Sequence, residues 1–312
     1  MDIGGTNTRM AVVSGDGVVI ARIQSPCRIN EGLTVFLEAI KEEYAQISKI
    51  ALESELEITA IGAGVPGLID RTGVINDPVN LQPLDGFNLQ QWLESLSGLP
   101  AVVMNDANAA AVAEKSHGAG RPFSSLLHIT LGTGVGSGLI LDGRLWTGVD
   151  GVAAEFGHVT VEPDGQLCQC GNRGCLEQYA SAPAITGFAT ENIGRGEKSA
   201  LALIQLQSLA AADVAAAAYS GDQLALACFS RAGRYLGIAC ASAVNMFNLE
   251  AIIMGGGVTE SFDLLAPAVR SEIAARAFHL PAARVKLLRG ELGDNAGIIG
   301  AAAAAFSALS SA

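Results

Sequence analysis

Apolar positions along this chain alternate between short β-branched runs punctuated by glycine and longer stretches with helical spacing. Two apolar runs flank a turn at Gly15-Asp16-Gly17, which predicts a β-hairpin at the start of the chain. Across 31–50, Leu33, Phe36, Ile40, Tyr44 and Ile47 recur at the period of a helix. Ile58 to Val65 reads as a buried strand running into Pro66-Gly67. Asn88 is placed to cap a helix that runs through Ser97 and closes at Gly98. A strand over Ala101–Met104 carries Asn105-Asp106 at its C-terminal end, and a helix over 108–116 follows.

The opening pattern then recurs. Leu126 to Leu141 is apolar, β-branched and rich in glycine, and a turn at Asp142-Gly143 leads into Arg144-Leu-Trp146. Strand, glycine loop, strand, Asp-Gly turn, strand therefore occurs twice, about one domain apart. No short period marks a solenoid, so duplication of a half describes the chain better. Residues 196–248 are alanine-rich and read as mostly helical. Ala251–Met254 is a short buried strand before Gly255-Gly256-Gly257, a helix covers about 262–278, a strand 285–288, and a last helix 295–305. With no Pro/Ser-rich linker between halves, two domains joined by crossing helices and separated by a cleft are expected. Their expected extents are 1–107 plus about 295–312 for the smaller and 108–294 for the larger.

Composition narrows the choices. The 312 residues carry 19 Lys and Arg against 31 Asp and Glu, a net charge of -12 that disfavours binding to a phosphate backbone or an anionic membrane surface. Half of the residues are hydrophobic, enough for a large core, yet no apolar run is long enough to span a bilayer. No secretory pattern opens the chain, so a cytoplasmic protein without nucleic-acid or membrane partners is expected. His117 and His128 read as ordinary helix-end and strand residues. Cys27, Cys228 and Cys240 read as buried apolar filler, and Trp92 and Trp146 as packing residues.

Two glycine loops carry the first chemistry. Asp2-Ile-Gly4-Gly5-Thr6-Asn7-Thr8 combines backbone donors with short polar side chains suited to an oxyanion, and Asp2 could hold a metal ion through water. Alone, Gly-Gly-Thr is equally a tight turn. A second loop, Gly132-Thr133-Gly134-Val135-Gly136, makes a two-sided clamp on a polyphosphate the better reading, and Gly255-Gly256-Gly257 could supply a surface for a nucleotide's base and sugar. Neither loop is a Walker A or a dinucleotide fingerprint. Asn105-Asp106 at a strand end fits a general base for an attacking alcohol, with the amide orienting that alcohol; capping of the following helix remains open on these residues alone.

The most specific segment is Glu155-Phe-Gly-His158 followed by Cys168-Gln-Cys170-Gly-Asn-Arg-Gly-Cys175-Leu-Glu177. One imidazole and three thiolates make a closed tetrahedral set for structural Zn2+, with Gly171 and Gly174 permitting the tight turns. A disulfide pair and plain buried thiols are the alternatives. Such a centre would hold Glu155, Glu177 and the free face of His158 together as partners for several hydroxyls, which suits a sugar.

Taken together, Asp-Ile-Gly-Gly-Thr-Asn-Thr, Asn105-Asp106-Ala-Asn, Gly132-Thr-Gly-Val-Gly-Ser-Gly, Glu155-x-Gly-His158 and the cysteine segment resemble the ROK family of repressors and sugar kinases, in family order and over nearly the whole chain. The resemblance implies an α/β, duplicated actin-like (ribonuclease H-like) ATPase fold with two domains and an interdomain cleft. It implies ATP-dependent phosphorylation of a hexose 6-hydroxyl with Mg2+, with Asp106 as the base. It implies sugar contacts from Asn105, Glu155, His158 and Glu177, from the loop containing Gly64, Pro66 and Gly67, and from Asn80. ATP contacts are implied for 4–8 and 132–136.

Family repressors carry an N-terminal winged helix, and a phosphate loop that starts at residue 2 leaves no room for one, so the kinase branch is expected. Glu155 favours glucose over N-acetylmannosamine, with N-acetylglucosamine, fructose or another hexose as alternatives and polyphosphate as an alternative donor. A catalytically silent sugar-sensing regulator is the leading non-enzyme alternative; a chaperone-like ATPase would have no use for a metal-stapled sugar pocket. Family members carry several apolar residues before the loop aspartate. Here only Met1 precedes it, so a short first strand, or a start a few residues late, is expected. The resemblance also implies a homodimer or homotetramer.

Overall fold

A computed structural model describes residues 1–78 and 80–311, and of Ser310 and Ser311 only the backbone. Every candidate site residue lies within that range. The chain divides into two units. One comprises Met1–Pro122, Gly138–Ala154 and the segment from Asp294; the other comprises Phe123–Ser137 and Glu155–Gly293.

The first unit is built on a five-stranded sheet of order β3-β2-β1-β4-β7. Its antiparallel hairpin is β2 (Asn7–Val13) with β3 (Val19–Pro26), and β1 (Asp2–Ile3) runs parallel to β4 (Ile61–Val65), which runs parallel to β7 (Ala101–Asn105). A small hairpin, β5 (Leu68–Ile69) and β6 (Ile75–Asn76), follows β4. Helix α1 (Leu33–Glu53) buries Phe36, Ile40 and Ile47, as the helical spacing predicts. Helix α2 (Leu89–Ser97) begins where Asn88 accepts the Gln91 N–H at 2.9 Å and ends at Gly98 in the left-handed region, so both punctuation marks act as read.

Helix α3 (Asp106–His117) begins two residues earlier than the spacing indicates. In the second unit, β8 (Leu126–Leu131) leads into β9 (Val135–Leu141), which continues into the first unit and pairs there with β10 (Arg144–Leu145). Helices α4 (Glu177–Ala180), α5 (Ala182–Gly194), α6 (Ala211–Tyr219) and α7 (Gln223–Phe247) precede β11 (Ala251–Gly255). Then come α8 (Phe262–Arg276), α9 (His279–Arg284), β12 (Lys286–Arg289) and α10 (Ala296–Ser311). The second sheet has the order β10-β9-β8-β11-β12, with β8, β11 and β12 parallel. Hairpin, first strand, then two parallel strands is the order of both sheets. The duplication read from the sequence is thus present as topology.

The first unit takes in more than the expected 1–107 plus about 295–312, because α3 packs tightly on α10. A Cβ added to Gly300 would drive into the Ala109 carbonyl, so only glycine allows the two helix backbones to approach this closely. Residues 138–154 join them: a Cβ on Gly138 would strike Ala111. Other departures are local. The stretch 196–210 forms short 3-10 turns at Ala200–Leu203 and Leu206–Ser208 instead of α-helix, with Ser199 capping the first. Trp146 is 53 % exposed and packs little, and Cys27 is half-buried, whereas Cys228 and Cys240 are buried. Among the described residues no helix is long and apolar enough to cross a membrane.

His128 on β8 is buried, its Nδ1 has no hydrogen-bond partner among the described residues, and burial pushes its pKa down from 6.5 to about 4. The folded chain therefore keeps it neutral, while the unfolded chain takes up a proton as the pH falls below 6.5. Stability present above that pH is lost on the way down to about 4. From pH 7 to pH 5 this one group is expected to cost roughly 2 kcal/mol. Urea unfolding at both pH values checks it: His128→Leu should lose less stability over the interval than the parent, and equal losses would contradict the assignment.

Candidate active site

In the first unit, three parallel strands end on the same edge of the sheet, where side chains and the loops after them collect. Strand β1 leads to Gly4-Gly5-Thr6, β4 to Pro66-Gly67, and β7 to Asn105-Asp106, with Asp2 level with Gly64 and Val65 level with Asn105. The first glycine loop closes through the Gly4 N–H donating to the Asn7 carbonyl at 2.9 Å. Asn80 lies against it: a Cβ on Gly5 would come 3.1 Å from the Asn80 Cβ, and Asn80 itself sits at φ 62°, a strained conformation for a residue with a side chain.

Asn105 settles the question of which residue caps α3. Its Oδ1 accepts the N–H groups of Ala107 and Asn108 at 2.9 and 3.1 Å, and its Nδ2 donates to the Gly67 carbonyl at 3.1 Å. Asn105 is the cap, which relieves Asp106 of that duty. Asp106 is enclosed by protein on most sides without being sealed from solvent. That enclosure raises its pKa, the Ala107 N–H opposes the rise, and the negative charge of Asp2 adds to it. Asp2 itself pairs with Arg9 at 3.3 Å and lies beside Gly297 of α10. A carboxylate with a raised pKa, oriented by the helix it begins and without a salt bridge among the described residues, is equipped to take a proton from an alcohol.

The second unit repeats the arrangement: β8 ends at Gly132 and β11 at Gly255-Gly256-Gly257, side by side on one edge. The Gly132–Gly136 loop is held by residues just C-terminal to the cysteine segment. Glu177 Oε2 accepts the Val135 N–H at 3.0 Å, and the Ala182 N–H donates to the Gly132 carbonyl at 2.8 Å. A Cβ at Gly134 would press on that carboxylate, so a side chain there would displace Glu177 from the loop. Glu155 precedes a 3-10 turn, Phe156–His158, whose Phe156 N–H donates to Ser137 Oγ at 3.3 Å.

The donor atoms of His158, Cys168, Cys170 and Cys175 all lie within 4.8 Å of one another. Cys168 Sγ is 3.7 Å from His158 Nδ1 and Cys170 Sγ is 3.6 Å from Cys175 Sγ, spacings compatible with four ligands around one ion. Every cysteine is free, so the disulfide alternative is not what is present. Gly171 and Gly174 both adopt positive φ in the turns between the thiols. Burial and the two neighbouring thiols push Cys175 up to about 12, while the Asn172 N–H draws Cys170 down. Three thiols and one imidazole, already gathered, are a donor set that could hold a metal ion.

Sequence reading placed the loops and clusters correctly in relation to the strands but missed two features. Thr8 turns into the interior, and its hydroxyl donates to Glu43 of α1 at 2.9 and 3.1 Å, so this hydroxyl faces a carboxylate and not the loop's open side. Glu43 interrupts an apolar stripe at helical spacing, a signal that was visible. Arg231 of α7 stands over the rings of Phe188, Tyr179 and Tyr235 at 4.7, 5.0 and 5.4 Å, and Tyr179 OH accepts the Gln166 N–H, tying the cysteine segment to α7. Nothing in the local sequence marks that stack.

Over residues 1–307 the chain matches the model of the ROK family. The chain belongs to the ROK family. A glucokinase of Halalkalibacterium halodurans is 37 % identical over 304 residues, covering 96 % of this chain and 92 % of that one. The crystal structure of a ROK family glucokinase from Streptomyces griseus in complex with glucose and AMPPNP superposes with a TM-score of 0.82 at 32 % identity, covering 98 % of each chain. A ROK family transcriptional regulator homologous to the E. coli MLC protein superposes with a TM-score of 0.88 at 30 % identity, covering 97 % of this chain and 76 % of that one. The duplicated sheets are accordingly the actin-like ATPase fold of ROK glucokinases.

The thiol cluster predicts a bound metal. Purified after growth in zinc-supplemented medium, the chain should carry about one metal ion per molecule by elemental analysis, and Cys170→Ser, which removes one of four ligands, should carry far less. A metal-free parent chain would contradict the reading of the cluster.

Proposed function

We propose that this ROK family chain is an ATP-dependent hexose kinase that phosphorylates glucose at its 6-hydroxyl. The observation that carries the reading is Asp106, a carboxylate with a raised pKa at the sheet edge, released from helix capping by Asn105. Likeness to a glucokinase at 37 % identity and to a structure holding glucose and AMPPNP supplies the substrates.

In this mechanism Asp106 accepts the proton of the sugar's 6-hydroxyl as that oxygen attacks phosphorus. Asn105 serves the sugar through whatever donor capacity its cap leaves, and Gly64, Pro66, Gly67 and Asn80 line the same edge. Glu155, His158 and Glu177 bind the other hydroxyls. The Gly4–Thr6 and Gly132–Gly136 backbones hold the phosphates, and Gly255–Gly257 lies against the rest of the nucleotide. Mg2+, which neutralises phosphate charge when bound, would be held by Asp2. That fits a carboxylate at the start of the first glycine loop, close enough to Asp106 to raise its pKa. Zinc is the ion that suits a closed Cys3His set, and its part is to fix the segment from Cys175 to Ala182 that braces the second loop. The chemistry needs a cytoplasmic pool of sugar and nucleotide and no nucleic acid or membrane.

The high TM-score to a transcriptional regulator gives a second reading, a sugar-binding regulator without turnover. ADP release across a panel of hexoses separates the two, with glucose expected to give the highest kcat/KM. Asp106→Asn then tests the base. It should lower kcat by roughly two to four orders of magnitude with glucose affinity nearly unchanged. Retention of most of the turnover would refute the role of Asp106.

A further inference from the structure

Glu43 is a carboxylate on the core-facing stripe of α1, between Phe36 and Ile40 on one side and Ile47 on the other. It is 6 % exposed, and no salt bridge reaches it among the described residues. Both of its oxygens face one side-chain donor among the described residues, the hydroxyl of Thr8, at 2.9 and 3.1 Å, and Thr8 is itself 3 % exposed. Its negative charge reaches Cys27, adding to the burial that raises that thiol's pKa. An isolated charged group in an apolar face is costly, and Met or Leu would fill this position without that cost. Stability alone therefore gives no reason for a carboxylate here.

The reason lies in the attachment of Thr8. It is the second residue of β2, just after the first glycine loop, and pairs with Ile3 on one side and Ser25 on the other. Because side chains alternate along a strand, Arg9 points to the Asp2 face while Thr8 points to α1. The loop is pinned at three points: the Gly4 N–H on the Asn7 carbonyl, the Cys27 N–H on the Thr6 carbonyl at 2.8 Å, and the Thr8 hydroxyl on Glu43. Two of these are backbone closures that nearly any sequence can make. The third ties the exit of the loop to the helix behind it through a charge-assisted bond, the strongest of the three kinds.

We propose that Glu43 is a positioning residue for nucleotide binding, acting through Thr8 to fix the first glycine loop. Thr8 is then an anchor of the loop and not a phosphate ligand. The proposal rests on the kinase reading only in assigning that loop to the nucleotide.

Glu43→Met tests it, since methionine keeps the length and suits the apolar face while removing the acceptor. The melting temperature should stay at or above that of the parent, KM for ATP should rise roughly tenfold, and KM for glucose should stay within about twofold. Glu43→Gln retains an acceptor and should keep KM for ATP near the parent value. Thr8→Val should raise KM for ATP as Glu43→Met does, Thr8→Ser should restore it, and the double variant should be no worse than either single one. Should Glu43→Met fail to fold, Thr8→Val against Thr8→Ser carries the same comparison.

A folded Glu43→Met with parental KM for ATP overturns the proposal, as do single effects that multiply in the double variant. Calorimetry with AMPPNP reads the loop without turnover. If the parent binds AMPPNP but phosphorylates no sugar, the kinase reading alone has failed, and a loss of AMPPNP affinity in Glu43→Met still supports the role of Glu43. A parent chain that binds no AMPPNP overturns both.

Discussion

Parallel pairing of β1, β4 and β7 is the constraint on which the rest depends. It sets the C-terminal ends of three strands level, so that a glycine loop, a Pro-Gly loop and Asn105-Asp106 emerge on one edge although they are far apart in sequence. Within that edge, one division of labour decides the chemistry. Asn105 Oδ1 takes the duty that would otherwise immobilise an aspartate, the capping of α3, while its Nδ2 holds the Gly67 carbonyl. Asp106 is left with one local backbone contact, an enclosing protein environment and a like charge nearby. Each of the last two favours the protonated form, and together they give a base that binds a proton more readily than an exposed aspartate.

The second sheet uses the same layout for a different purpose. Where the first unit presents a carboxylate, the second presents backbone amides, and its loop is braced from behind by Glu177 and Ala182. Those residues lie within seven positions of Cys175, and His158 ends the turn in which Gly157 packs against the Val135 carbonyl and Phe156 bonds Ser137 just beyond the loop. The Cys3His cluster thus sits where it can fix both braces at once. The aromatic stack under Arg231 anchors the far side of the cysteine segment to α7.

Much of this was legible in the sequence, and the failures share a cause. The hairpin turns, the Asn88 cap, the left-handed Gly98 and the gathered thiols are determined by neighbours within a dozen residues, and all are where the pattern put them. The early start of α3 at Asp106 depends on the choice between two adjacent capping residues, which Gly67, some forty positions earlier, helps to decide. The extent of the first unit depends on α10 returning from the end of the chain to pack on α3, a contact that no local pattern encodes. Alanine-rich composition misled over 196–210, where Ser199 and the Asp222 carboxylate, which accepts the Ala200 N–H, favour short turns over a helix. Glu43 was the legible feature passed over: a lone acid in a helical apolar stripe marks a buried partner.

The carboxyl of Asp106 is the most direct place to measure. Carbon-13 NMR of aspartate-labelled chain, with Asp106→Asn to assign the signal, gives its titration in the resting protein. A midpoint above 3.8, the ordinary value, is the result expected from enclosure and the neighbouring Asp2. A midpoint at or below 3.8 would mean that the group is solvated or paired with a cation, and would contradict an enclosed, unpaired base at the sheet edge.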